Sequence, residues 1–124
     1  MFVGIVGSRK FKYWWFVDLL VKGLKLKYGD GLVVVSGDCK KGVDRYVEIS
    51  CRVNGVKFEK ECVDWSKYGE VGNRVFYERN LRVVKKCNEV YVVVEKGYSG
   101  KGSKMVKELC EKLGVKCYWI EFGI

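Results

Sequence analysis

The sequence has 124 residues, the size of one domain and long enough to bury a core. Apolar residues make up 48%, which argues for a folded globule, and no apolar run approaches the ~20 residues of a membrane-spanning helix. Lysine and arginine number 24 against 15 acidic residues, a formal charge of +9 that favours anionic partners, phosphate first among them. These cations form no dense run, so a solvated basic surface and a polyanion-binding face are equally open readings.

In chain order, Phe2 to Val6 is a β-branched-rich run without alternation, the pattern of a strand buried on both faces of a parallel sheet. It lacks the basic segment of a signal peptide, and a cytoplasmic location is expected. Trp14 to Tyr28 follows as a helix with Val17, Leu20, Val21 and Leu24 on one face. Its Trp14-Trp15-Phe16 start is either buried or an exposed contact for a homodimer. Leu32 to Val35 reads as the second buried strand. Val43 to Asn54 reads as a helix with Val43, Val47, Ser50 and Cys51 inward, stopped at Asn54-Gly55. Val56 to Glu61 is a weaker strand. Arg74 to Cys87 is a helix with Phe76, Val83, Val84 and Cys87 on its apolar face. Val90 to Val94 is a third strongly apolar strand. Lys101 to Leu113 is the clearest helix, with Val106, Leu109, Cys110 and Leu113 inward and a stop at Gly114, before a last strand over Val115 to Phe122. This alternation predicts an α/β fold in one domain over 1–124: a three-layer Rossmann-like sandwich with helices on both faces of a five-stranded, mainly parallel sheet of order 3-2-1-4-5.

Alanine, threonine, proline, histidine and glutamine are absent. Every codon for these five contains cytosine, whereas each residue type present has a codon without it. The pattern predicts a gene nearly free of cytosine, as in a small biased replicon such as a virus or plasmid, in which case the cytoplasm is the host's. Reading the gene tests this. Without histidine there is no imidazole general base, no Ser-His triad and no His-ligated metal. The six cysteines (39, 51, 62, 87, 110 and 117) contain no CxxC pair, so no metal site is expected, and Cys51, Cys87 and Cys110 fall on apolar helix faces as buried thiols.

In a sheet of this kind ligands bind beyond the carboxyl ends of the strands, where the strand order reverses. The loops leaving the three strong strands are Gly7-Ser8-Arg9-Lys10, Ser36-Gly37-Asp38-Cys39-Lys40-Lys41-Gly42 and Gly97-Tyr98-Ser99-Gly100-Lys101-Gly102-Ser103. All are rich in Gly, Ser and Lys, and topology puts all three on one edge. One such loop is usually only a turn. Three together predict a phosphate site, because glycine lets backbone approach an oxyanion and the following helix start supplies free N–H groups.

These residues resemble the SLOG superfamily of DNA-processing Smf/DprA proteins and LOG cytokinin-activating enzymes, especially its short single-domain members. The matching features are Val6-Gly7-Ser8-Arg9 with Phe11, Val35-Ser36-Gly37-Asp38 leading to Gly42-Val43-Asp44, Asp64-Trp65 with Tyr68-Gly69, Glu78-Arg79-Asn80, and Ser99-Gly100-Lys101-Gly102-Ser103. The resemblance spans about residue 3 to residue 113. It implies a Rossmann-like fold with a nucleotide at these loops. Ser36, Gly37, Gly42, Ser99, Gly100, Gly102 and Ser103 would line the phosphate side, beside Gly7 and Ser8. Arg9 would clamp a phosphate with two parallel bonds. Arg79 and Asn80 would reach in from the third helix, the alternative for Arg79 being a surface arginine. Asp38 or Asp44 would accept a ribose hydroxyl, Asp44 being alternatively a first-turn helix charge, and Glu95 is a weaker candidate of the same sort. Trp65 and Tyr68 either stack on a base or serve as core or lid.

The sequence departs from the LOG motif Pro-Gly-Gly-x-Gly-Thr-x-x-Glu. Tyr98, Ser99 and Ser103 replace the proline, the first glycine and the threonine, and Val106 replaces the glutamate. A valine cannot take up protons, which speaks against that phosphoribohydrolase activity. The expected function is binding of a phosphate-bearing nucleotide or nucleotide derivative, with no further cofactor and no membrane partner. One alternative is a hydrolase cleaving an N-glycosidic or phosphoester bond with Glu78, Glu95, Asp38 or Asp44 as acid or base. The other is single-stranded nucleic-acid binding, which would show steep salt dependence.

Overall fold

The computed structural model describes residues 1–124. Five strands, β1 (Phe2–Gly7), β2 (Val33–Ser36), β3 (Lys57–Lys60), β4 (Glu89–Glu95) and β5 (Lys116–Phe122), alternate with α1 (Trp14–Tyr28), α2 (Val43–Asn54), α3 (Tyr68–Val71), α4 (Arg74–Lys86) and α5 (Gly102–Leu113). The sheet order is β3-β2-β1-β4-β5 and every pairing is parallel. The anticipated order therefore holds, and "mainly parallel" becomes wholly parallel. Two features have no signal in the apolar periodicity: a 3-10 turn over Gly29–Gly31, and a 3-10 turn over Trp65–Lys67 that runs into the one-turn α3. No helix is long and apolar enough to cross a membrane.

Strand alternation divides the core into two layers. Val3, Ile5, Val34 and Val93 face α1 and α2, meeting Val17, Val21, Val43 and Val47. Val6, Val35, Val90, Val92 and Val94 face α4 and α5, meeting Val83, Val84, Val106 and Leu109. The strands look uniformly apolar in sequence because both their faces are covered. Burying each of these side chains contributes about 1.5–3 kcal/mol, and valine, stiff at χ1, fits the pleated surface with little rotamer loss.

Two expected inward positions differ. On α4 Val75 and Asn80 are buried beside Val83 and Val84, whereas Phe76 is only partly covered, with Trp65 edge-on against it at 5.5 Å. Leu113, expected inward, is 42% exposed where α5 ends. The Trp14-Trp15-Phe16 start is mixed: Phe16 stacks on Phe122 at 4.4 Å, while Trp14 stands 60% exposed.

Candidate functional site

α1 and α2 carry the chain from β1 out to β3 on one face, whereas α4 and α5 serve β4 and β5 on the other. The order thus reverses between β1 and β4, and the carboxyl ends of these neighbours open a cleft of about 450 Å³. All three glycine-rich loops reach it: Gly7, Ser8, Arg9 and Lys10 after β1, Gly37 and Cys39 after β2, and Gly97 to Ser103 after β4. Arg79 and Asn80 enter from α4, Asp44 from α2, and Glu95 from the end of β4.

The centre of the site is a charge arrangement around Gly37. Arg79 donates from Nη1 to Asp38 Oδ1 at 2.5 Å and from Nε to Asn80 Oδ1 at 2.9 Å. Asp38 Oδ2 in turn accepts from the Val63 N–H at 3.0 Å, so Asp38 holds an arginine and a loop together. Asp44 accepts from Ser36 Oγ at 3.3 Å and from the Cys39 N–H at 3.4 Å. Only glycine fits between these groups: a Cβ on Gly37 would stand 2.6 Å from Asp44 Oδ2 and 2.9 Å from Arg79 Nη1. Burial lifts the Asp44 carboxyl from 3.8 to about 6, against the opposing pull of Arg79 and of the hydrogen bonds from Cys39 and Ser36.

Not every anticipated residue lines the cleft. Ser36 is fully buried and spends its hydroxyl on Asp44. The carboxylate of Asp38 is taken by Arg79 and Val63. Gly42 is a backbone hinge, at φ +70° and packed against the Ser8 carbonyl. Glu78 pairs with Arg74 at 3.7 Å along the surface of α4, outside the cleft lining. Trp65 and Tyr68 pack on each other at 5.7 Å and are exposed, outside both core layers and outside the cleft lining. Val106 joins the core and also lines the cleft.

The backbone cradle is also partly occupied from within. The Val43 N–H at the start of α2 donates to the Ser8 carbonyl at 3.2 Å, and the Lys10 N–H donates to Ser8 Oγ at 3.1 Å. The Ser103 N–H at the start of α5 donates to the Tyr98 hydroxyl at 3.0 Å. The Tyr98 ring lies over Gly100, where a Cβ would meet it at 2.7–2.8 Å, and its far side faces Trp119 at 6.0 Å. Sequence reading passed over Tyr98, Lys10, Cys39 and Lys101 as site residues. Lys10 and Lys101 had a usable signal, since each sits inside a loop already marked for phosphate. The folded-back Tyr98 had none.

No family model matches the sequence, and no curated protein is significantly similar to it. Among solved structures, a predicted subunit of a tRNA methyltransferase from Methanocaldococcus jannaschii superposes over 98% of this chain and 67% of its own, at a TM-score of 0.49 and 9% identity. A likeness that distant carries no argument about function.

Proposed function

We propose that the cleft binds a phosphate-bearing nucleotide or nucleotide-derived ligand. One observation carries the reading: loops from three different strands converge on a single cavity that also receives Arg9, Lys10, Arg79 and Lys101. Four cations around an opening between glycine-rich turns suit a compact, multiply charged oxyanion, with Arg9 free to close over it. The SLOG resemblance supports the same ligand class. The carboxylates inside the cleft favour a small molecule with distinct polar parts over a continuous phosphate backbone.

The test is thermal unfolding of the whole chain against nucleoside mono-, di- and triphosphates. A ligand at 100 times its Kd stabilises the folded state by ~2.7 kcal/mol. Arg9→Ala should abolish the response to whichever ligand stabilises the wild type; an unchanged response would put the site elsewhere.

A second reading, hydrolysis of the bound ligand, is favoured by Asp44. A carboxyl titrating at about 6 inside the cleft has the proton affinity of a working acid or base near neutral pH. Chromatography of ligand incubated with the protein decides: released base or phosphate makes it an enzyme, and intact ligand leaves a binding module.

A further inference from the structure

We infer that Cys110 and Cys117 form a redox-active thiol pair, which a small disulfide such as oxidised glutathione converts into a covalent link between α5 and β5. The site is separate from the phosphate cleft and stands whether or not that cleft takes a nucleotide. Cys110 lies eight residues beyond Gly102, about 12 Å along α5 at a rise of ~1.5 Å per residue. Neither cysteine lines the opening.

The fold brings the two thiols together. Cys110 sits with Val106 and Leu109 on the inward face of α5 and is fully buried. Gly114, at φ +71°, ends the helix, and the Val115 N–H donates back to the Cys110 carbonyl at 2.9 Å. The chain thus doubles back directly into β5. Alternation turns Val115, Cys117 and Trp119 toward the core layer that holds Cys110, and Cys87 joins that layer from just past the end of α4. There the Cys110 thiol donates to Cys117 Sγ.

Their surroundings divide the roles. Cys117 is half-buried and within reach of a small reagent, whereas Cys110 beneath it is not. The hydrogen bond from Cys110 holds the Cys117 thiol below its usual range despite burial, and Lys107, whose ammonium lies over the Trp119 ring at 5.6 Å, pulls the same way. Cys110 is pushed up, by donating that bond and then by burial. Cys117, its proton lost to water, therefore attacks one sulfur of the disulfide and expels a thiolate, which takes up a proton. Cys110 then attacks Cys117 Sγ in the mixed disulfide, and its own proton leaves with the second thiol. Two cysteine thiols give up two electrons and two protons, and the small disulfide becomes two thiols. Because β5 is an edge strand held only by β4, the link fastens that edge to the helix packed on it.

The test is to equilibrate the folded wild type with mixtures of reduced and oxidised glutathione at neutral pH, quench with acid, alkylate, and map the tryptic peptides by mass. Lys112 and Lys116 lie between the two cysteines, so the bond appears as residues 108–112 linked to residues 117–124. Dithiothreitol should restore both thiols. The link should form in the folded chain at a glutathione ratio at least ~10-fold more reducing than in urea, because the fold holds the sulfurs in contact. Cys110→Ser should leave glutathione trapped on Cys117, and Cys117→Ser should leave Cys110 a free thiol; the wild-type map carries the test should either variant fail to fold. No 110–117 link in the folded protein, a link to Cys87 in its place, a glutathione adduct on Cys117 that never resolves, or the same midpoint in urea overturns the inference.

Discussion

Arg79 and Asp38 are joined through Nη1 and Oδ1 at 2.5 Å across 41 residues of sequence, and the pair fixes the guanidinium at the cleft wall. The arginine side chain is 14% exposed and the aspartate 22%, so the contact is shielded enough to outweigh a typical surface ion pair. Asp38→Asn keeps one acceptor oxygen for the Val63 N–H but removes the charge and sets an amide NH2 in place of the oxygen that Arg79 uses. It should lower stability by about 1–2 kcal/mol and weaken any nucleotide response, because Arg79 loses its anchor. Denaturant unfolding and ligand-dependent melting, measured on the same variant, check both halves.

Asp44 gives the fold a pH signature of unusual sign. Its folded pKa of about 6 lies above the ordinary 3.8, so the native state holds that proton more tightly than the unfolded chain. The resulting stability is fully present below pH 3.8 and is lost as pH rises through about 6, some 3 kcal/mol in all. Asp18 and Glu48 act in the opposite direction, their pKa values being lowered chiefly by hydrogen bonds from Ser50 and Lys60 respectively. The comparison of wild type with Asp44→Asn isolates the buried group. Urea unfolding at pH 4.5 and 7.5 should show the variant gaining relative to wild type at the higher pH; equal differences at both values would contradict the shift.

Tyr98 competes with a ligand for the first turn of α5. Tyr98→Phe removes the hydroxyl that the Ser103 N–H now uses, at a cost of about 0.5–1.5 kcal/mol in the ligand-free protein. Anion affinity should rise. The backbone amide resonance of Ser103 reports both effects, shifting in the variant and responding to phosphate at lower concentration. Weaker binding by the variant would make Tyr98 a ligand contact instead.

Gly42→Ala should be among the most damaging single changes. The residue sits at φ +70°, and an added Cβ would collide with the Ser8 carbonyl and stand 2.5 Å from Arg9 Cα. Strain and displacement together imply a loss of more than about 2 kcal/mol. Melting of the variant should show that drop and an accompanying loss of ligand response, since the same shift moves Arg9.

Thiol labelling should separate the cysteines by environment, because all are free. Burial pushes Cys51 and Cys87 up to about 12, and both are nearly inaccessible. Cys62 is exposed and should react first with an alkylating reagent at neutral pH, followed by the half-buried Cys39. Cys51 and Cys87 should react only as the protein unfolds. Timed mass spectrometry of the labelled chain gives the order.

The architecture was legible because burial on both faces leaves an unbroken apolar run, and β1, β2 and β4 each have one. Helix ends were legible too: α1 and α2 begin and end at the residues their periodicity marks. The turn at Trp65 was not, since its start is set by the Asp64 carboxylate accepting from the Ser66 N–H rather than by apolar spacing. For the site, strand order alone is enough to bring three loops to one rim. Which side chains within them face the opening is a tertiary matter. Asp38 and Asp44 stand six positions apart in one loop-helix segment, yet one turns to Val63 and Arg79 and the other to Ser36 and Cys39. Nothing local distinguishes them.

The reversal between β1 and β4 has a mechanical meaning as well. The strands on one side of that seam all come from residues before position 61 and those on the other from residues after it, while α4 crosses it to pack on β1 and β2 and to pair Lys86 with Glu59 and Glu61. The two halves of the sheet meet along the hydrogen bonds between β1 and β4, and the opening lies at the end of that line. A guest seated there would touch both halves of the sheet at once and act as a clasp at the rim, adding to the strap that α4 already lays across the seam.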